Sequence, residues 1–145
     1  MPKTKKLTLL DRAKMDLYTA KVMREKVSVD DALIDICAYH CQQCVEKTAK
    51  YMIVLQGDDY ATDHRKDHYL PDLADGEIKD LIEGIAIDID QWAAFIRYRS
   101  TILSSKSEVD SIIILCDKLI ELAEAATPLP TRVSDNKTAE IFKKP

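Results

Sequence analysis

Glycine and proline are scarce in this 145-residue chain, which contains 3 Gly and 5 Pro. Because these residues form many tight turns, their scarcity disfavours a turn-rich β fold and favours helices. No apolar run approaches the roughly 20 residues of a membrane span. None of signal-peptide length follows the basic residues at the start of the sequence. We therefore expect a single cytoplasmic domain that does not bind membranes.

Cysteine is also sparse, with four residues at Cys37, Cys41, Cys44 and Cys116. Cytoplasmic thiols stay reduced. Cys41 and Cys44 form a CxxC pair, and a zinc site would need His64 and His68 to complete it. The alternative is packing, because the first three cysteines share one helix face and free cysteine behaves as a small apolar residue. We favour packing and predict neither a metal nor a cofactor.

A broad excess of positive charge is absent, since 21 basic and 25 acidic residues give a net charge of −4. Non-specific nucleic-acid binders usually present a basic surface. Contact with a polyanion must therefore be local, and duplex DNA is not an expected partner. Acidic groups are concentrated in residues 58–90, where 11 acidic and 3 basic residues give a net charge of −8. This segment is an alternative surface for a basic partner protein.

Apolar residues recur at helical spacing, and strand-like alternation is absent. The pattern predicts a short helix or turn over 70–74 and main helices over 9–27, 29–56, 77–99 and 107–126. The expected fold class is an all-α antiparallel bundle of four to five helices occupying residues 9–126. Residues 1–8 are expected to be a disordered basic leader. Residues 127–145 are expected to be a proline-containing polar tail without a core of its own.

Several residues mark the ends of these helices. Two Ser–Asp pairs have the spacing of a capping box before the second and last helices, Ser28 with Asp31 and Ser107 with Asp110. Gly57 is placed to end the second helix. Gly84 is placed to interrupt the third.

The second helix carries a polar stripe opposite its cysteine-rich face. On a helical wheel one side collects four polar residues, Gln43, Glu46, Lys47 and Lys50. The stripe has a simple surface interpretation, because Glu46 and Lys50 have the favourable order of an i,i+4 ion pair. The alternative is that the stripe forms one wall of a binding site.

Two further polar segments stand apart from the predicted core. His68 lies in the polar connector, residues 58–76, and Arg97-Tyr98-Arg99 ends the third helix. Each has a structural explanation, since histidine often caps a helix and cations are favoured near a helix C-terminus. We consider a functional role because the stripe, His68 and the arginines occur together.

In order and spacing the three segments resemble the HEPN family, the nucleotide-binding helical domains of higher eukaryotes and prokaryotes. Residues 43–50 fit its Q-x-x-E-K-x-x-K pattern. Residues 67–70, Asp-His-Tyr-Leu, take the place of a T-H-D-L-like segment. Residues 96–98, Ile-Arg-Tyr, take the place of an A-R-Y-like segment. The resemblance spans roughly residues 9–126 and implies an α-helical bundle.

The resemblance implies two kinds of function. Many HEPN proteins resemble ribonucleases and toxins that use an Arg-x4–6-His motif near a dimer interface. Others resemble non-catalytic partners of small nucleotidyltransferases and bind nucleotides or polyanions. In this chain no histidine follows Arg97. The ribonuclease interpretation therefore lacks its usual proton carrier.

The leading hypothesis is a non-catalytic domain that binds a nucleotide or an RNA phosphate. It would form a homodimer and act with a nucleotidyltransferase partner in a two-component, toxin–antitoxin-like system. Gln43 and Glu46 would support the ligand-binding residues, which are Lys47, Lys50, His68, Arg97, Tyr98 and Arg99. Arginine offers a planar fork for phosphate, and a tyrosine ring can stack on a base.

Two alternatives remain. One is a ribonuclease that uses Arg97 with His68 or Tyr98 as its reacting groups. The other is an interaction module without a ligand, in which the polar stripe would form ion pairs within the bundle. Glu46 would then hold Lys50 or Arg97 in place.

Overall fold

A computed structural model describes residues 6–94, 96, 98 and 100–126 of the chain. These residues form α-helices and no β-strand, which confirms the predicted all-α class. The helices are α1 (Leu9–Lys26), α2 (Leu33–Leu55), α3 (Lys66–Tyr69), α4 (Glu77–Glu83), α5 (Asp90–Ala94) and α6 (Lys106–Ala125). No helix in this part of the chain is long and apolar enough to cross a membrane. The predicted tail over 127–145 lies outside the described residues.

Helix α1 begins at a capping box formed by Thr8 and Asp11. The Thr8 hydroxyl oxygen accepts from the Asp11 backbone N–H, and the Asp11 carboxylate accepts from the Thr8 N–H, both at 3.0 Å. The box satisfies two backbone donors near the helix start. The apolar residues of α1 that recur at helical spacing are buried, namely Leu10, Ala13, Leu17 and Ala20.

The start of α2 corrects one prediction. The Ser28 hydroxyl does not cap α2, because it donates to the Glu25 carbonyl of the preceding helix at 3.3 Å. Instead, the Asp30 carboxylate accepts from the Ala32 N–H at 3.0 Å. This local bond stabilises a turn over 27–32. The predicted Ser28–Asp31 capping box is therefore wrong, and α2 starts four residues later than expected.

The end of α2 agrees with the sequence. The helix ends at Leu55, and Gly57 has a φ of 91°. Glycine adopts this left-handed conformation without the steric penalty that a β-carbon brings, which is why it commonly terminates helices. Gln56 then fastens the connector to the helix end. Its side-chain amide donates to the Asp72 carbonyl at 3.1 Å and accepts from the Ala74 N–H at 2.8 Å.

The predicted third helix over 77–99 is not continuous. Helix α4 stops at Gly84, as the sequence suggested, and α5 resumes only at Asp90. Glycine and β-branched isoleucine both have lower helix propensity than alanine, and the intervening segment contains Ile85, Ile87 and Ile89. The segment still contributes to the core through Ile89, which is fully buried.

The cap of α6 also differs from the prediction. Ser105, not Ser107, accepts from the Glu108 N–H at 3.3 Å, and the Glu108 carboxylate accepts from the Ser105 N–H at 3.1 Å. The longer glutamate side chain reaches back across the first turn more easily than Asp110 would. Asp110 instead forms two bonds with the Arg24 guanidinium, at 2.6 and 3.0 Å.

Helices α1, α2 and α6 form the main core. Ion pairs cross the α1–α6 contact in antiparallel order, linking Lys14 to Glu124 at 2.9 Å, Lys21 to Asp117 at 2.7 Å and Arg24 to Asp110 at 2.6 Å. The predicted cysteine face of α2 is confirmed as core. The thiols of Cys37, Cys41, Cys44 and Cys116 are free, and all four residues are fully buried.

Candidate functional site

The polar stripe of α2 is buried. Gln43 is 7% exposed, Glu46 5% and Lys50 4%, and the neighbouring Gln42 is fully enclosed. The interpretation of these three stripe residues as solvated surface is therefore wrong. The helical wheel separated polar from apolar faces correctly. It could not show that the connector over residues 58–76 covers the polar face.

The Glu46 carboxylate is the centre of this buried polar network. One oxygen accepts from the Gln42 amide at 3.0 Å and lies 2.8 Å from His64 Nδ1. The other accepts from the Lys50 ammonium at 3.0 Å. Gln43 extends the network by donating to the Gln42 amide oxygen at 2.6 Å. A buried carboxylate needs such partners, because an unpaired charge out of water is strongly unfavourable.

The Lys50 ammonium is enclosed by the chain itself. Besides Glu46, it donates to the Asp63 backbone carbonyl at 2.8 Å. The Tyr60 ring centroid lies 5.3 Å from the ammonium and the Tyr69 centroid 6.0 Å, within the range of cation–π attraction. Lys50 thus fastens the connector onto α2.

His68 belongs to the same assembly through Asp63. His68 Nδ1 and the Asp63 carboxylate form a hydrogen bond. This bond lowers the pKa of Asp63, and the backbone N–H of Arg65 and the Lys50 charge act in the same direction. Asp63 therefore joins Lys50, through its carbonyl, to His68, through its carboxylate. The structure brings together these two residues of the predicted site.

The two connector histidines are partly open to solvent. The His64 side chain is 56% exposed and the His68 side chain 42% exposed, although the Glu46 side chain behind them is 6% exposed. Each imidazole is oriented by a carboxylate at Nδ1, and its other ring nitrogen is not engaged by that bond. For His68 the other nitrogen lies 3.9 Å from the Asp67 carboxylate, beyond hydrogen-bond distance.

Helix α3 places Tyr69 beneath this cluster. Burial raises the pKa of Tyr69, and the charges of Glu46 and Asp90 raise it further. Within the described residues its hydroxyl is a buried side-chain atom without a hydrogen-bond partner. Asp90 accepts from the Lys66 backbone N–H through both oxygens at 3.3 Å and so holds the start of α3. Burial raises the pKa of Asp90, and the Lys66 contacts oppose that shift.

Lys47 lies in a different polar group from the rest of the stripe. Its ammonium donates to the Asp16 carboxylate of α1 at 2.6 Å, and His40 Nδ1 lies 2.8 Å from the other Asp16 oxygen. The Lys47 and His40 side chains are each 26% exposed. The structure thus places Lys47 in a link between α1 and α2, apart from the direct partners of Lys50.

The remaining predicted site residues are only partly described. Arg97 and Arg99 lie outside the described residues, whereas Tyr98 between them is 79% exposed. The alternative zinc site was to combine the CxxC thiols with His64 and His68. The thiols are buried, and the described part of the chain contains no group of three or more His, Cys, Asp or Glu residues that could hold a metal.

Sequence reasoning missed several members of the polar groups, among them Gln42, His64 and Asp16. Gln42 precedes Glu46 by one helical turn, so the i,i+4 rule could have identified it. His64 was considered only as a metal ligand, although it lies four residues before His68 in the same connector. Asp16 gave no signal, because its contacts with His40 and Lys47 depend on how α1 and α2 pack.

Comparison with known protein families matches residues 7–126 to the HEPN domain. The match covers every described residue except Lys6. No curated protein and no solved structure matches the chain. The family match extends over most of the chain and agrees with its all-helical architecture. The chain belongs to the HEPN domain family.

Proposed function

We propose that this HEPN domain binds a nucleotide, or a phosphate of single-stranded RNA, without cleaving it. The observation that carries the proposal is the pair of half-exposed histidines on the connector. His64 and His68 are each oriented by a carboxylate: His64 bonds Glu46 of the buried Glu46–Lys50 pair directly, and His68 is connected to Lys50 through Asp63. Supported side chains of this kind favour ligand binding, because their geometry is largely fixed before the ligand arrives.

The chemistry of the connector suits a small anion. An imidazole held at Nδ1 presents its second nitrogen to a phosphate oxygen, and protonation makes that contact a charge-assisted hydrogen bond. Arg97 and Arg99 would supply the planar, bidentate groups, and Tyr98 a ring for base stacking. Lys50 takes a supporting role in this proposal, since its ammonium is enclosed. Lys47 supports the α1–α2 contact.

The absence of cleavage is supported by the sequence after Arg97, which contains no histidine. General acid–base cleavage of RNA needs a proton carrier beside the scissile phosphate. We further propose that the domain forms a homodimer and acts with a small nucleotidyltransferase in a toxin–antitoxin-like system. Membership of the HEPN family supports this pairing.

Titration of the full chain with ATP, GTP, AMP and a short single-stranded RNA tests the ligand. We expect His68→Ala, His64→Ala and Arg97→Ala each to weaken binding by about tenfold, the effect of losing one charge-assisted contact. His40→Ala is the matched control, because it removes the one histidine outside the connector. Equal binding by all four variants would contradict the proposed site.

RNA incubation under the same conditions tests the absence of cleavage. We expect no product beyond background from the wild type or from Arg97→Ala. Activity in the wild type that Arg97→Ala removes would favour a ribonuclease. The nucleotidyltransferase partner is tested by co-expression with a nucleotidyltransferase encoded beside this chain, followed by size-exclusion chromatography. Separate elution of the two proteins would contradict the pairing.

A second candidate function is a protein-interaction module without a ligand. The burial of the Glu46–Lys50 pair favours it, because the pair is satisfied entirely within the chain. Under this function, the folded wild type would bind no member of the nucleotide panel. The histidine variants would then change only stability.

A further inference from the structure

Two apolar pockets lie along the contact between α4 and α6. The first, of about 280 Å³, is lined mainly by apolar side chains that include Met52, Leu55, Leu73, Ile78 and Leu122. The second, of about 360 Å³, is lined by residues that include Leu81, Ile85, Ile87, Ile112 and Leu115. A cavity of about 150 Å³ can hold a benzene molecule, so each pocket has room for a large apolar side chain.

The two pockets open on the same flank of α6. Leu115 lines one and Leu122 the other, and these residues are seven positions apart. Seven positions are close to two helical turns, so both side chains point in nearly the same direction, roughly 10 Å apart. Ser111, four residues before Leu115, lines the second pocket on the same flank. The spacing matches apolar residues at positions i and i+7 of a partner helix.

Acidic side chains border this surface. Asp75 and Glu77 line the first pocket, and Asp80 lines the second. Asp75 pairs with Lys79 at 3.4 Å. Among the described residues, by contrast, Glu77, Asp80 and Glu83 of α4 have no basic side chain within ion-pair distance. Both pockets thus border the most acidic segment of the chain, residues 58–90, which supplies part of the lining of each.

The first pocket is preformed by the fold. Gln56 binds the Asp72 carbonyl and the Ala74 N–H, which fixes the turn that forms one pocket wall. Leu73 beside this turn is buried in the core. A preformed apolar pocket costs little reorganisation on binding, so the burial of a partner side chain contributes more fully to affinity.

We propose that the α4–α6 surface binds a basic amphipathic helix of another protein. Two apolar side chains of that helix, about two turns apart, occupy the pockets, and its lysines or arginines face Glu77, Asp80 and Glu83. The apolar anchors supply affinity, whereas the opposite charges orient the segment and accelerate its association. Neither connector histidine lines either pocket, and the proposal does not depend on nucleotide binding.

A designed peptide tests the proposal with the full chain. The probe is a fluorescent lysine-rich helix with two leucines seven positions apart, and its control has alanine at both positions. Anisotropy titration should show that the leucine peptide binds. The alanine peptide should bind at least about tenfold more weakly, as expected from losing buried leucine contacts. Equal binding of both peptides would show charge attraction alone and would overturn the two-pocket proposal.

Variants of exposed residues locate the binding surface. Ser111→Trp fills the second pocket, and Ser28→Trp places the same side chain in the turn after α1, outside both pockets. Asp80→Lys reverses a charge at the pocket, and Glu25→Lys reverses one at the end of α1. We expect Ser111→Trp and Asp80→Lys to weaken leucine-peptide binding several-fold, with the two controls unchanged. Circular dichroism checks that every variant is folded.

Two other outcomes would assign the surface differently. If the full chain self-associates in sedimentation experiments and Ser111→Trp abolishes that association, a second copy occupies the surface and the proposal is wrong. If single-stranded RNA displaces the leucine peptide over the same RNA concentrations at which the RNA itself binds, the peptide occupies the nucleotide site. That result would also overturn the proposal.

Discussion

Two carboxylates on neighbouring helices each bind one lysine and one histidine, yet they connect different parts of the molecule. Asp16 of α1 binds Lys47 and His40, which are both on α2. Glu46 of α2 binds Lys50 of the same helix and His64 of the connector. The Asp16 group therefore links two regular helices, whereas the Glu46 group fastens an irregular segment to a helix.

The two groups also differ in their access to water. The lysine and histidine around Asp16 are each 26% exposed. Around Glu46 the lysine side chain is 5% exposed, but the histidine is 56% exposed. The Glu46 group thus combines a buried ion pair with an open imidazole. Under the proposed function this combination supports the ligand site, whereas the Asp16 group only joins two helices.

The largest expected effect is on stability. Glu46→Ala leaves the Lys50 ammonium buried without its counter-ion and should lower the free energy of unfolding by about 3–5 kcal/mol. Asp16→Ala should cost about 1–2 kcal/mol, because Lys47 and His40 can turn toward water. Urea denaturation followed by circular dichroism measures both variants. Equal losses would remove the energetic distinction between the two groups.

A smaller effect is expected on the mobility of the connector. His64→Ala removes the bond between the connector and Glu46. Amide hydrogen exchange in residues 58–65 should therefore increase several-fold, and the global free energy of unfolding should fall by about 1 kcal/mol. The matched variant His40→Ala should leave exchange in this segment unchanged. Mass-spectrometric exchange of both proteins provides the measurement. Similar exchange in the two variants would indicate that Lys50 and Tyr60 alone hold the connector.

Thiol labelling distinguishes local release of the connector from opening of the core. Burial raises the pKa of the Cys37 thiol to about 11, so at neutral pH it is almost entirely in the unreactive protonated form. Hydrogen bonding with Cys41 and Cys44, together with burial, raises the pKa of Cys116. We expect slow iodoacetamide labelling in the wild type and in His64→Ala, and faster labelling in Glu46→Ala. Fast labelling of His64→Ala would mean that the connector also protects the core.

The helix bounds show which features of the fold could be predicted from the sequence. Apolar periodicity and local end signals define α1 and the end of α2 at Gly57, because both depend on residues close in the chain. The break between Gly84 and Asp90 was harder to place. The isoleucines of this segment continue the apolar pattern of the helix, although the backbone there is not helical. Periodicity alone therefore predicts one continuous helix across the break.

The polar groups show a similar limit. The Glu46–Lys50 pair is predictable, since i,i+4 side chains meet on any helix. Burial of the pair is not, because it depends on His64, Asp63 and Tyr60 folding back from an irregular segment. No periodic pattern in the sequence indicates that contact. The Asp16 group depends in the same way on how two helices pack, so the sequence placed Lys47 with Lys50 although their carboxylate partners differ.

The smallest expected effect concerns the ionisation of Asp63 at the outer edge of the Glu46 group. Its bond with His68 lowers the pKa of Asp63, so the folded state favours the carboxylate more than the unfolded state does. The resulting stabilisation is present above the unfolded pKa, near the ordinary value of 3.8, and is lost as pH falls through the lower folded pKa. In His68→Ala, NMR titration should find the pKa of Asp63 closer to that ordinary value, because its largest cause of depression is gone. His40→Ala should not move it. An unchanged pKa in His68→Ala would mean that the Arg65 N–H and the Lys50 charge are sufficient to lower it, and that His68 is not held to the connector by Asp63 in solution.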